Sequence, residues 1–310
     1  MRKIFILSGF TLLILLNVCP AWAEAATKEP AAAEKSVNER IEELTGAKGK
    51  YDEKEGVFKV SFPRTDVSVA VDGLHLHPFM GLTSWAGFAK DPKEGMMVMG
   101  DLVLFQDEVN PVMSVALDNG LEVTALHNHF FYDDPKVFFM HIAGRGSAED
   151  LASAVRKALD KVKEIRIKNP NPAHDFGGLS KFDKSSITSE PIENTLGVKG
   201  EAKGGMFKIV IGRKTKMPCE CEVGKNMGVN TWAVFAGSDE NAFVDGDFAM
   251  LESEVQPVLK ALRSNGINIV AIHNHMTGEN PRIIFLHYWG IGSTAELSKA
   301  LLVALNTEKK

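Results

Sequence analysis

Ala125-Leu126-His127-Asn128-His129 returns as Ala271-Ile272-His273-Asn274-His275, and this repeat decides the fold. Working outward, the register between the copies holds at 146 residues. Gly100-Asp101 matches Gly246-Asp247, Glu108-Val109 matches Glu254-Val255, and Pro111-Val112 matches Pro257-Val258. Asn119-Gly120 matches Asn265-Gly266, and His141 matches His287. Aligned without a gap, residues 100–160 and 246–306 agree at 22 of 61 positions, too many in one register for chance. Upstream the copies match more loosely: Gly56-Val57-Phe58-Lys59 against Gly205-Met206-Phe207-Lys208, and Ser84-Trp85-Ala86 against Thr231-Trp232-Ala233.

Each copy reads as strands followed by helices. Val57 to Phe62 alternates with β-rich residues, and Val67 to Val71 and Met96 to Phe105 are further strand candidates. Asp107 to Asp118 carries apolar residues at helical spacing, with Pro111 tolerated in the first turn and Asn119-Gly120 as the stop. Leu121 to His129 is a strand, Tyr132-Asp133-Asp134-Pro135 a turn, and Lys136 to Ala143 the returning strand. Ser147 then caps a helix over Ala148 to Lys163. The expected fold class is α+β: two tandem copies of one antiparallel-sheet-plus-helices unit forming a pseudo-symmetric pair. The expected organisation is a signal peptide over 1–23, a flexible leader over 24–38, a first unit over 39–163, a linker over 164–200 and a second unit over 201–310.

The amino terminus reads as an address. Arg2-Lys3 precede the apolar run Ile4 to Leu16, and Ala21-Trp22-Ala23 supplies a cleavage site. The run is shorter than the roughly 20 residues of a membrane span. Export to the periplasm or beyond follows, with no transmembrane span in the mature chain. Lipid anchoring at Cys19 is disfavoured, because Val18 stands where a small residue is wanted. The net charge of −5, with both signs mixed along the chain, argues against nucleic acid, which needs a basic face. A small molecule or an envelope component remains open as a partner. Cys219 and Cys221 sit two apart; a bridge there is disfavoured by geometry, and two ordinary thiols are expected.

Six of the nine histidines lie in the duplicated pattern. On a strand, residues two apart share a face, so His127 and His129 project together. If His129 stands opposite His141, the hairpin centres on Pro135 and three imidazoles converge. His273, His275 and His287 repeat the pattern around Pro281. Three histidines with an open position suit Zn or another divalent transition metal. Glu108 and Glu254 are candidate fourth ligands or catalytic bases; Asp101 and Asp247 are weaker candidates. The competing reading is buried, hydrogen-bonded histidines that only build the core.

Other signals are weaker. His75-Leu76-His77-Pro78 occurs in the first copy alone and is similar to the His-x-His-Pro of JAMM-type zinc isopeptidases, but the downstream Asp of that pattern is missing. Arg145 and Arg282 flank the hairpins as candidate anion binders or surface ion-pair partners. Gly144-Arg145-Gly146-Ser147 and Gly290-Ile291-Gly292-Ser293 read as tight strand-to-helix turns.

The pieces Glu108 to Val112, His127 to His129, Glu254 to Val258 and His273 to His275 together resemble the LppY/LpqO family of bacterial secreted proteins and lipoproteins, over most of residues 40–306. That resemblance implies export and a shared fold and supplies no reaction. Three functions follow as expectations. The first is an exported protein binding a divalent metal or small ligand through the histidine hairpins. The second is a metal-dependent hydrolase of an envelope substrate. The third is a non-catalytic interaction module with structural histidines.

Overall fold

The computed structural model describes residues 35–177 and 184–307; the expected export signal and cleavage site, and Cys19, lie outside them. The first half supplies strands β1 (Gly49–Asp52), β2 (Val57–Pro63), β3 (Thr83–Asp91), β4 (Gly95–Phe105), β5 (Glu122–His127) and β6 (Val137–Gly146). The second supplies β7 (Gly200–Lys203), β8 (Met206–Gly212), β9 (Asn230–Gly237), β10 (Ala242–Leu251), β11 (Asn268–His273) and β12 (Ile283–Gly292). Helices α1 (Val37–Thr45), α2 (Gln106–Asp118) and α3 (Ala148–Lys168) belong to the first half, and α4 (Ser189–Leu196), α5 (Val255–Ser264) and α6 (Thr294–Thr307) to the second. Among the described residues no helix is long and apolar enough to cross a membrane.

All twelve strands join one sheet in the order β1-β2-β3-β4-β6-β5-β11-β12-β10-β9-β8-β7. The order is a palindrome of the two halves, so the α+β fold of two similar units holds, and the units share one sheet. Within each half the returning strand inserts beside β4 or β10 and leaves β5 or β11 at the edge. An unpaired edge invites another strand. Here the two equivalent edges pair with each other, antiparallel, through Leu126 and Ile272.

The sheet is buried on both faces near its middle. Leu102, Leu104, Met140 and Ile142 pack with helical Val112, Met113, Ala152 and Val155. The alternate residues Val103, Phe105, Val137 and Phe139 pack on the opposite face with Val69 and Leu82, from the long segment between β2 and β3. Val223 and Val229 cover Ala249, Ile283 and Phe285 in the same way in the second half.

One irregularity sets which face the histidines use. Val123 pairs with Ile142, and Ala125 pairs with His141, so Thr124 is an extra residue in β5. This β-bulge resets the side-chain alternation. Val123 and Leu126 therefore both enter the helix-side core, while His127 turns to the opposite face with His141. In β11 Val270 is the extra residue between Ile269, opposite Tyr288, and Ala271, opposite His287.

Each bulge is held from the other half. The Asn110 amide of α2 donates to Ile269 O at 3.1 Å and accepts from Ile269 N–H at 2.7 Å. The Gln256 amide of α5 donates to Val123 O and accepts from Val123 N–H, both at 2.9 Å. Beyond the Leu126–Ile272 bridge these amides stand in for the missing ladder.

The expected linker over 164–200 is shorter than the sequence reading had it. The α3 helix runs to Lys168, and α4 begins at Ser189 as the counterpart of α1. Its signal was present: Ile41-Glu42 with Gly46 and Lys48-Gly49 returns as Ile192-Glu193 with Gly197 and Lys199-Gly200. Glu42 pairs with Lys48 and Glu193 with Lys199, each at 2.6 Å. The leader likewise ends before Ser36, which caps α1.

Replacing Asn110 or Gln256 by Ala strands a backbone N–H and C=O at the bulge of the other half. Each change is expected to cost about 1–3 kcal/mol in urea unfolding. Glu122→Ala, exposed on the same strand, should stay within about 0.5 kcal/mol of wild type.

Candidate functional site

The bulges bring both histidine sets onto the helix-free face of the sheet. The hairpin register differs from the expected one. His127 stands opposite Phe139, and Ala125 opposite His141, so the strand ends at His127 and His129 lies in the loop beyond it. The loop over 128–136 sets this register; the bulge at Thr124, farther from the turn, displaces only Glu122 and Val123 relative to it. Asn128 donates to Val137 O at 3.1 Å, and Asp133 accepts from Val137 N–H at 2.7 Å, which pins the hairpin. The three rings still converge. His127 stacks on His141 with ring centroids 5.2 Å apart and lies 5.1 Å from His129, which rests flat on Phe139.

The second half is tighter. His273 and His287 stack at 4.6 Å, and His275 rests on Phe285. His273 Nε2 and His275 Nε2 are 3.1 Å apart. Asp247, cross-strand neighbour of His287, places Oδ2 3.4 Å from His275 Nε2 and 3.9 Å from His273 Nε2. Ligand atoms of Asp247, His273 and His287 all lie within 4.8 Å of one another, the one such grouping among the described residues. His275 Nδ1 lies 3.1 Å from Gly228 O; a carbonyl only accepts, so Nδ1 donates there and Nε2 is the atom turned to His273 and Asp247. The turn at Lys225–Met227 that ends in Gly228 therefore orients the ring.

Electrostatics set the second site apart as well. Burial pushes the Asp247 carboxyl up to about 7, against the pull of His287. Burial, with His287 and His275 beside it, pushes His273 down to about 4. In the first half burial lowers His127, helped by His129 and His141, and lowers His129 against the pull of Asp101. Buried Asp101 Oδ1, Asp247 Oδ1 and His273 Nδ1 have no hydrogen-bond partner.

Glu108 and Glu254 do a different job from the one expected. Arg64 forks onto both oxygens of buried Glu108 at 2.8 and 2.9 Å, Phe105 N–H donates to it, and Arg166 Nε lies 2.9 Å away. Arg213 forks onto Glu254 at 2.6 and 3.0 Å, and Leu251 N–H donates to it. Both carboxylates close the first turn of a helix and tie down the segment that covers the histidine face. Neither is left with an oxygen free of these cations and N–H groups to act as ligand or base. The carboxylates at the histidines are Asp101 and Asp247, rated weaker from sequence. Arg64 and Arg213 were missed there, although each follows the Phe-Lys strand at the same offset.

The remaining candidates fall outside the sites. His77 Nδ1 caps the Pro78–Met80 turn, and His75 Nδ1 meets Ser68 Oγ at 3.1 Å. Arg145 pairs with Asp91 on the surface, and Ser147 caps α3. Cys219 and Cys221 are joined as a disulfide, not the two thiols expected; the reversal through Glu220, with φ at +59°, brings them together.

The Asp247 carboxyl titrates higher folded than unfolded, so the folded state loses stability as pH rises through about 7. His273 has the opposite sign: its contribution grows as pH rises from about 4 towards its unfolded value. In metal-free protein Asp247→Asn is therefore expected to raise the melting temperature at pH 8 by a few degrees, on the order of 1 kcal/mol. At pH 5 the gain should shrink, because there the wild-type carboxyl is protonated. Thermal melts at the two pH values check this; a loss of stability at pH 8 would contradict it.

No curated protein matches the chain. Among solved structures, a trimeric bacterial microcompartment shell protein, PduB, aligns with 12% identity over 84% of this chain and 89% of its own, at a TM-score of 0.22. So low a score carries no argument about fold or function. The pattern of one protein family matches twice, over residues 39–161 and 190–307, which are the two halves of the sheet. The chain thus belongs to the family described as Domain of Unknown Function (DUF1259).

Proposed function

We propose that the protein binds one divalent transition metal, Zn2+ foremost, through Asp247, His273 and His287, with His275 as the fourth donor. One observation carries the reading. The contacts among His273 Nε2, His275 Nε2 and Asp247 Oδ2 are 3.1, 3.4 and 3.9 Å. Bonds of about 2.0–2.1 Å in a tetrahedron set neighbouring donors roughly 3.4 Å apart. Three donors already stand at the spacing a metal needs, before any metal is placed among them.

The chemistry of the donors supports it. A neutral imidazole is the ligand form, and His273 is held neutral. The His275 contact to Gly228 O is the outer-shell bond that metal-binding histidines typically make. A cation would also answer the buried Asp247 carboxylate, whose Oδ1 lacks a donor. Purely structural histidines would not need His273 Nε2, His275 Nε2 and Asp247 Oδ2 to converge, which weighs against the interaction-module reading. The expected export, and the resemblance to secreted proteins that implies it, would place this site in the periplasm or outside the cell.

Binding is favoured over hydrolysis. Four protein donors would fill a tetrahedral shell, whereas catalytic zinc keeps a position for water. The hydrolase reading also loses its expected base, because Glu254 is held by Arg213 and Leu251 N–H.

Purified protein reconstituted with Zn2+ and desalted should carry about one equivalent by inductively coupled plasma mass spectrometry. His273→Ala and Asp247→Asn should lose it, and His127→Ala should keep it. An empty wild type, or a metal lost only in His127→Ala, would overturn the proposal.

A further inference from the structure

One sizeable pocket lies away from the histidines. It has a volume of about 590 Å3 and lies where α2, the linker and the start of β11 meet. That is the size of a small-molecule site. Val109, Pro111, Phe138, Ile269, Phe176 and Trp289 give it apolar walls. Phe176 of the linker meets Trp289 edge to face, with centroids 4.8 Å apart, and Phe243 stacks on Trp289 at 5.7 Å.

One charged side chain in this wall lacks a counter-charge. Arg263 donates from Nε to Ser114 Oγ at 3.1 Å, and from Nη1 to Ile267 O at 2.6 Å and Asn268 Oδ1 at 3.4 Å. Among the described residues it makes no ion pair, and its Nη2 has no hydrogen-bond partner. All three acceptors are neutral. Burial alone pulls its pKa down to about 10. A half-buried cation whose Nη2 stays accessible and has no counter-charge can take an anionic partner. The two aspartates in the wall do not pair it: Asp107 is bound to Arg166, and Asp175 is exposed. Asp118, across a smaller cleft that Arg263 also lines, lies beyond ion-pair distance.

The feature is confined to one half. In the 146-residue register, Arg263 replaces Leu117 and Trp289 replaces Ala143. The duplicated scaffold does not need either residue, and both line the same pocket.

We propose that this pocket is a second ligand site, taking a small organic monocarboxylate with an aromatic or branched apolar body, its carboxylate on Arg263 Nη2. One guanidinium suits one negative charge. Neighbouring Asp107 and Asp175 disfavour a dianion such as a phosphate monoester. The site is separate from the histidines and does not depend on metal.

Benzoate and its neutral isostere benzamide are the probes, titrated into the full chain by calorimetry and by intrinsic tryptophan fluorescence, to which Trp85, Trp232 and Trp289 all contribute. Benzoate should bind saturably at one site, at least about ten-fold tighter than benzamide. Arg263→Gln should weaken benzoate about ten-fold or more and leave benzamide unchanged. Arg263→Lys keeps the charge and should stay within a few-fold of wild type, which separates loss of the anion contact from loss of the fold. Three results would each overturn the proposal: no saturable benzoate binding, equal affinity for the two probes, or unchanged benzoate affinity in Arg263→Gln.

Discussion

The amide of one side chain, laid against the backbone of the other half, is the contact on which the site depends. Asn110 grips Ile269 and Gln256 grips Val123, each with a donated and an accepted hydrogen bond. Those backbone groups sit at the edge of their own half, where the strand has bulged away from a regular ladder. Unpaired, they would bear the penalty of buried polar groups. Paired, they hold each bulge in place, and the bulge is what turns His127 and His273 away from the helices. A half folded alone would lack the clamp on its own histidine strand. The pairing of two halves is therefore part of how each site is built.

A duplicated scaffold lets one copy diverge while the other keeps the geometry. Both halves keep the buried Arg–Glu fork at the helix start, the aromatic plate under the loop histidine and the hairpin turn with its Pro. They differ where chemistry would be decided. The second half brings His273 and His287 closer and sets the Asp247 carboxylate against them. It alone carries Arg263 and Trp289. The first half instead exposes Phe79, Phe131 and Tyr132 around its hairpin.

Much of this was legible in the sequence. The constant offset fixed the duplication, and the Asn-Gly stops and Ser caps placed helices that the structure keeps. The histidines were found because six of them share one pattern. The hairpin register was misjudged because nothing in residues 128–136 says where their turn centres, and the bulge at Thr124 leaves no trace in hydrophobic alternation, since Val123 and Leu126 are both apolar. Glu108 and Glu254 were misassigned for a related reason. A carboxylate at a helix start reads the same whether it is free or held, and the arginines that hold them lie 44 and 41 residues away. Asp101 and Asp247 were undervalued because their closeness to the histidines is a cross-strand relation, set by the pairing of β4 with β6 and of β10 with β12. The α1 and α4 match went unused because insertions shift the offset between copies upstream of residue 100.

X-ray absorption at the zinc edge of the reconstituted protein tests the account most directly, since it reads the donors themselves. The geometry predicts a shell of nitrogen and oxygen at about 2.0–2.1 Å with the outer scattering of imidazole rings and no sulfur. A sulfur shell near 2.3 Å, which would point to Cys219 and Cys221, or a shell without imidazole scattering, would contradict it.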